Sequence, residues 1–190
     1  MAQFATASEL ADRLAVEFSS EDSTRADGLL ETASGLIQDA ARQVIEKVTG
    51  DVLVRRGTFS DRFRLPERPV LAVTEILVDG EEIPGDTWYL EGSTLVRVAD
   101  TWGNPQVEVQ VTYDHGLEDD EIPAAIKAVC LEVVVRVWVN PGSVQSENYG
   151  SEATNYGREV GMLLTDKEQA TVRRAMKPYG RPQAGTINLR

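Results

Sequence analysis

The chain has 190 residues and a formal net charge of −12, with 42% hydrophobic and 26% charged residues. This length suits one domain with a substantial core, and the hydrophobic content excludes a chain that is disordered throughout. No run reaches the roughly 20 apolar residues of a membrane span. The opening MAQFATASEL lacks the basic start and apolar stretch of a secretory signal. We therefore expect a protein that forms in a cytoplasm and has no membrane segment.

The charge is unevenly distributed along the chain. Residues 1–162 carry 13 Lys/Arg and 29 Asp/Glu, net −16, whereas residues 163–190 carry six and two, net +4. An acidic body repels nucleic-acid phosphates, so sequence-specific DNA binding is not expected. A basic tail can dock on the acidic surface of another copy or of a partner, or it can simply be solvated. Charge alone leaves both interpretations open.

The first 50 residues carry two helical patterns. A short one over residues 8–18 predicts a helix with Ser8 as its N-cap. A longer one repeats apolar residues every 3.6 positions and predicts a helix from Ser23 to Thr49, followed by Gly50 at its C-terminal end.

Residues 51–116 change to short β-branched and aromatic runs that are separated by turn signals. Asp79-Gly80, between two such runs, is a strong hairpin signal. The last run, residues 107–113, alternates strictly between apolar and polar side chains, which predicts a half-buried edge strand. The segment therefore predicts a small antiparallel β unit inserted between helices.

A helix that is apolar almost all the way round is predicted over residues 121–140. The carboxylates at 118–121 and Pro123 are typical of a helix start, where the dipole favours negative charge. A helix without a polar face is expected to be buried on every side, by its own subunit or by a neighbour. Cys130 within it is expected to be a small buried hydrophobe, since a lone cysteine builds neither a disulfide nor a zinc site.

The C-terminal part combines a polar stretch with a last helix. Residues 141–162 are polar and glycine-dotted, which predicts a loop that is mobile or that another molecule orders. Thr165 and Glu168 have the spacing of a capping box and predict the start of a helix that ends near Met176.

These elements predict an α+β fold that is mainly helical, with helices packed in a bundle, an inserted small antiparallel β unit, and a mobile C-terminal helix and tail. We expect a single domain over residues 1–190. Its segments are the N-terminal helices (1–50), the β insert (51–116), the buried helix (121–140), the polar loop (141–162), and the C-terminal helix with its basic tail (163–190).

The order of the elements resembles the head–tail connector, or adaptor, proteins of long-tailed bacteriophages and prophages. The residues that carry the likeness are PVLAVTEILVDG at 69–80, residues 109–116, Ile122-Pro123 with its helix, and Leu164-Thr165 with Glu168. Each piece is a common structural solution, and it is their order that resembles the family. The likeness extends over nearly the whole chain.

The resemblance implies a structural virion protein of the neck, the head–tail interface, that is made in the host cytoplasm and needs no cofactor. About twelve copies would form a closed ring. The ring would dock on the portal protein and contact a downstream neck or tail-completion protein. DNA would pass through its channel without sequence-specific binding, because an acidic wall gives no counterion-release gain. The docking residues would be Arg173, Arg174, Lys177 and Arg181, and the subunit interface would include Val133, Val137 and Trp138.

The sequence offers little chemistry for an enzyme. His115 is the one histidine; it lies in a turn, where an exposed side chain is the commoner outcome, and no nucleophile motif accompanies it. The carboxylates at 118–121 lack the alternating spacing of a calcium loop. No catalytic residue and no metal ligand is therefore predicted. The tryptophans Trp88, Trp102 and Trp138 are spread over three elements and are expected to be core or interface anchors.

Two other functions stay open at this point. One is a monomeric small-molecule or peptide-binding module that uses the β insert as its cleft. The other is a neighbouring neck or tail-completion protein of the same virion. The first alternative would be complete as a monomer, whereas a connector needs self-association or a partner.

Overall fold

The computed structural model describes residues 3–140, 146–149, 152–155 and 162–180. The chain divides into two compact units. The first is built from residues 1–42 and 123–176, and the second from residues 43–122 and 177–190. The single-domain organisation expected from the sequence stays a prediction.

The first unit is helical. Its helices are α1 (Ala7–Leu14), α2 (Ser20–Ala41), α3 (Ala124–Val139) and α4 (Asp166–Met176). Three of them start with a capping box, in which a hydroxyl and a carboxylate satisfy two unpaired amides reciprocally; the pairs are Thr6/Glu9, Ser19/Asp22 and Thr165/Glu168. The capping box predicted for the last helix is thereby confirmed. Helices α2, α3 and α4 all contact one another.

The predicted bounds of the first two helices are wrong at both ends: α1 covers Ala7–Leu14 and not 8–18, and α2 covers Ser20–Ala41 and not 23–49. The N-cap of α1 is Thr6 and not Ser8. Helix α2 ends at Ala41, where Arg42 adopts a left-handed conformation with φ 57°, and residues 48–56 form a strand. The β-branched residues of this region fit a helical period and a strand equally well, and pairing with a distant strand decides the outcome.

The second unit contains two antiparallel sheets. The larger consists of β1 (Val48–Arg56), β3 (Val70–Val78), β4 (Glu81–Glu82) and β7 (Glu108–His115), in the order β1-β7-β3-β4. The smaller consists of β2 (Arg62–Arg64), β5 (Trp88–Glu91) and β6 (Thr94–Arg97), in the order β2-β6-β5. Asp79 and Gly80 both have positive φ, 54° and 83°, between β3 and β4, so the predicted hairpin is confirmed.

Strand β7 is central and not at an edge, because β1 and β3 pair with it on its two sides. The alternation in its sequence correctly identified the buried face but carries no information about neighbouring strands. Its inward residues join a core that receives side chains from both sheets: Phe63, Leu65, Ile76, Leu95, Trp102, Val109, Val111 and Tyr113.

The fold class is α+β, but the prediction of a mainly helical bundle is wrong. The structure is 40% helical and 28% strand, with two antiparallel sheets. A further antiparallel hairpin, β8 (Ser146–Tyr149) with β9 (Glu152–Asn155), lies in the segment predicted to be a polar loop. The second unit has its own apolar core, so it is more than an appendage of a helical bundle.

Helix α3 differs from its prediction at its N-terminal end. It begins at Ala124, and no acidic residue lies in its first turn. The preceding carboxylates belong to a turn, in which Glu121 accepts a hydrogen bond from the amide of Glu118 and Lys47 pairs with Glu118. At the other end Val139 is 58% exposed in the single chain, so its burial by a neighbour stays a prediction. No helix in the described part of the chain is long and apolar enough to cross a membrane.

Candidate assembly surfaces

An ion pair joins α3 and α4 near the C-terminal end of α3. Nη1 and Nη2 of Arg136 lie 3.2 and 3.3 Å from the two carboxylate oxygens of Glu168, whose side chain is 9% exposed. Nη2 of Arg136 also donates to the carbonyl oxygen of Leu163 at 2.7 Å. Glu168 accepts the amide of Thr165 at 2.7 Å through its capping box. This two-pronged geometry fixes the start of α4 on α3.

Aromatic and cation–π contacts hold Trp138, near the C-terminal end of α3. The indole of Trp138 stacks on Phe18 with ring centroids 4.7 Å apart, and the guanidinium of Arg25 lies 4.4 Å from the indole centroid. These contacts restrict the indole, because stacking and cation–π attraction both depend on orientation. Three exposed apolar residues accompany this contact. Val16 and Val139 are close in sequence to Phe18 and Trp138, and the carbonyl oxygen of Leu163 accepts a hydrogen bond from Arg136. We call the whole set the α3-end patch: Val16, Phe18, Trp138, Val139 and Leu163.

The predicted interface residues of α3 do not share one environment. Val133 is fully buried within the first unit, whereas Val137 and Trp138 are half-buried. Trp138 is therefore the member that the structure places in the α3-end patch. The interface role of all three stays a prediction.

Helix α4 exposes positive charge at its C-terminal end. Arg173, Arg174 and Lys177 are all exposed, and Nη2 of Arg173 donates to Oε1 of Gln169 at 3.3 Å. Within the described residues none of the three cations forms an ion pair with a carboxylate. The fourth predicted docking residue, Arg181, lies outside the described residues. We call Arg173 and Arg174 the α4 cationic end; Lys177 follows the helix and belongs to the second unit.

His115 is buried, contrary to the expectation of an exposed turn histidine. Its side chain is 1% exposed, Nε2 lies 3.2 Å from Oδ2 of Asp51, and its ring centroid lies 5.1 Å from that of Tyr113. Burial raises the pKa of Tyr113 to about 12. The next residue, Gly116, has φ 92°, and a Cβ there would lie 2.1 Å from the carbonyl oxygen of Glu46. The histidine thus packs the end of β7 where the chain makes a tight crossing.

The thiol of Cys130 is buried in the helical unit and has the environment of a structural side chain. Cys130 is fully buried, as predicted, and its Sγ lies 3.8 Å from Oγ of Ser34. Burial raises the pKa of this thiol to about 11, which suppresses the nucleophilic thiolate. Within the described part of the chain no group of three or more His, Cys, Asp or Glu side chains is arranged to hold a metal ion.

Sequence reasoning missed the partners of Arg136 and Trp138. An arginine in an otherwise apolar helix was a usable signal, since a cation there needs a partner. The partner itself could not be identified, because Glu168 is 32 residues away and its capping role already explained it. Phe18 and Arg25 belong to segments more than 100 residues from Trp138, and no local pattern links them.

No protein-family model matches the chain, and no curated protein matches it. Solved structures do. A chain from the neck of an empty gene transfer agent (GTA) particle, computed with C6 symmetry, has 16% sequence identity and a TM-score of 0.58, with 89% of this chain and 87% of that chain covered. A chain from the neck of a native GTA particle, computed with C12 symmetry, has 14% identity and a TM-score of 0.52, with 88% and 86% covered. This chain has the fold of a GTA neck protein.

A chain from the virion of the native GTA particle agrees with that result. It has 14% identity and a TM-score of 0.56, and the alignment covers 88% of this chain and 87% of that chain. The neck-protein fold therefore extends over nearly the whole sequence, as the order of elements suggested. At the level of the fold, the expected resemblance to head–tail connector proteins is confirmed.

Proposed function

We propose that this protein is a structural subunit of a virion neck, in which it forms a ring-shaped connector that docks on the portal and links the head to the tail. The observation that carries the proposal is the shared fold with a GTA neck chain over 89% of this sequence. Those necks were computed with C6 and C12 symmetry, which supports a closed ring of this chain with about twelve copies. The role is mechanical and not enzymatic.

The α3-end patch is the proposed apolar contact between subunits. Val139 and Leu163 are 58% and 67% exposed, and Trp138 is held between Phe18 and Arg25. Exposed apolar side chains around an oriented indole are typical of protein interfaces, where aromatic anchors supply much of the binding energy. Val133 and Val137 would support this surface from within the helix.

The α4 cationic end and Lys177 are the proposed docking residues for the portal or for a neighbouring subunit. Arg173, Arg174 and Lys177 are exposed and without carboxylate partners in the described part of the chain, so they are available to an acidic surface. The rest of the sequence is strongly acidic, net −16 over residues 1–162. Such a body would let DNA pass through the ring without adhering to its wall.

The experiment that tests this proposal is deletion of the reading frame from the phage or prophage that carries it, followed by electron microscopy of the induced lysate. A connector role predicts heads and tails that are both present but not joined. Complementation with the wild-type gene on a plasmid is the control and should restore joined particles. Normally joined particles in the deletion strain would refute the neck role and favour a monomeric binding module that uses the β insert.

A further inference from the structure

The two end strands of the larger sheet carry opposite charge. Strand β1 ends with Arg55 and Arg56, and strand β4 consists of Glu81 and Glu82. All four side chains are exposed, and within the described residues none of them forms an ion pair. One edge of the sheet is therefore positive and the opposite edge is negative.

Arg55 and Glu81 lie at the same level along the strands of the sheet. The strand register places Arg55 opposite Val109, Val109 opposite Val78, and Val78 opposite Glu81. Arg55 and Glu81 are therefore the two ends of one row that crosses all four strands. At about 4.8 Å per strand the row spans roughly 14 Å, so its ends cannot pair within one chain.

Strand β1 also has the properties of an edge that another surface covers. It is nine residues long and pairs with β7 on one side. Val52 and Val54 project from it and are each 49% exposed. Edge strands that stay uncovered are usually short or interrupted by proline, a bulge or an inward-pointing charge. Strand β1 has one irregularity in its pairing, between Val48 and Asp51; beyond it the strand carries exposed valines and ends with the arginines.

We propose that the β1 edge of one copy faces the β4 edge of the next copy, with Arg55 opposite Glu81, and with Arg56 and Glu82 in the rows on either side of that pair. This inference rests on the proposed ring. A ring is closed by a head-to-tail contact, which requires two different and complementary surfaces on the same chain. The β1 edge and the β4 edge are two such surfaces. If the ring axis is parallel to the strands, neighbouring copies are not shifted along the strands, so Arg55 of one copy lies at the level of Glu81 of the next. The occupant of each edge is therefore a second copy of this chain.

Two charge-reversal variants of the full-length protein test the contact. Arg55→Glu with Arg56→Glu makes both edges acidic, and Glu81→Arg with Glu82→Arg makes both edges basic. Like charges directly opposite each other are unfavourable, so each variant alone should lose rings at concentrations where the wild type forms them. An equal mixture should recover rings, because acidic and basic edges then alternate. Analytical ultracentrifugation and negative-stain electron microscopy measure both effects.

Net charge is controlled in this design. The two variants have net charges of −16 and −8, so overall attraction between them cannot explain a recovery. Matched reversals at exposed sites outside β1 and β4 should leave rings intact; they are Arg42→Glu with Arg64→Glu, and Asp119→Arg with Asp120→Arg. Circular dichroism of each variant separates a lost contact from a lost fold.

Disulfide trapping gives a second measurement that does not depend on charge. Cysteines at positions 55 and 81 of one chain are too far apart for an internal disulfide, which needs Cα atoms about 4.4–6.8 Å apart. Oxidation of the Arg55→Cys, Glu81→Cys protein should therefore give a ladder of multimers on a non-reducing gel. Each single-cysteine variant should stop at dimers, since Cys130 is buried.

The possible outcomes distinguish a failure of the edge contact from a failure of the proposed ring assembly. If the wild type forms rings and both reversal variants form them equally well, the edge contact is refuted and the ring stands. Folded variants that lose rings singly but do not recover together, or a double-cysteine protein without a ladder, also refute the edge contact. A wild type that stays monomeric contradicts ring assembly by this chain, and the edge contact with it.

Discussion

Replacing Glu168 by glutamine is expected to destabilise the first unit strongly. The side chains of Arg136 and Glu168 are 23% and 9% exposed, and two N···O contacts of 3.2 and 3.3 Å join them. Removal of one member of a buried ion pair costs about 3–5 kcal/mol, and here the part-buried guanidinium of Arg136 would lose the carboxylate of Glu168. The partial exposure of Arg136 places the expected loss near the lower end, at about 3 kcal/mol. Glutamine keeps an oxygen for the amide of Thr165, so the helix cap is preserved.

The matched control is the pair Arg13–Glu132, which also involves α3. Its atoms are 3.6 Å apart, and the side chains are 43% and 54% exposed. Such a surface pair contributes about 0–1 kcal/mol. Urea unfolding followed by far-UV circular dichroism should therefore show a much larger loss of unfolding free energy for Glu168→Gln than for Glu132→Gln.

The double variant Arg136→Met, Glu168→Gln sharpens the test. It removes both charges, so it should lose less stability than the sum of the two single variants, with a coupling energy of about 1–3 kcal/mol. Equal midpoint shifts for Glu168→Gln and Glu132→Gln, or additive single effects in the double variant, would refute the argument that this pair fixes α4 on α3.

Three further predictions follow from individual side chains. Folding raises the pKa of Tyr113 from 10 to about 12, so the neutral phenol contributes to folding stability fully below pH 10, and this contribution is lost as the pH rises through about 12. Thermal melts of Tyr113→Phe should lack this loss of stability at alkaline pH. Gly116→Ala should lower the unfolding free energy by about 2 kcal/mol or more, because the new Cβ would lie 2.1 Å from a carbonyl oxygen at φ 92°. Arg173→Glu with Arg174→Glu should leave the melting temperature within a few degrees of wild type but abolish joined particles in complementation of the deletion strain.

Controls decide each of these results. Gly28 is helical and has open space at its Cβ position, so Gly28→Ala should be neutral or stabilising by about 0.5–1 kcal/mol. A Gly116→Ala protein as stable as Gly28→Ala would contradict the crossing geometry. For the docking prediction, Arg42→Glu with Arg64→Glu carries the same change of charge and should still complement. Full complementation by the α4 variant would contradict its docking role.

Local signals in the sequence predicted much of the fold. The turn at Asp79-Gly80 lies where it was predicted, because a turn with positive φ is encoded by adjacent residues. The capping box of Thr165 and Glu168 was predictable for the same reason.

Long-range pairing decided the parts that sequence reasoning missed. Val48 fits the periodicity of α2, but it pairs with His115, 67 residues away, and so belongs to a strand. The same pairing buries His115, which a turn pattern alone predicted to be exposed. The candidate assembly surfaces show the same difference between local sequence signals and long-range pairing. The charges of α4 are visible in the sequence, whereas the shared row of Arg55 and Glu81 requires the register of four strands.

The proposed neck role of this chain can be tested by locating the protein in the particle. We would label purified particles with gold-conjugated antibodies against the purified protein and image them by electron microscopy, with particles from the deletion strain as the control for background. A neck subunit should give gold at the junction between head and tail of intact particles and none in the deletion strain. Label on the capsid, along the tail or only on material outside particles would contradict the neck role.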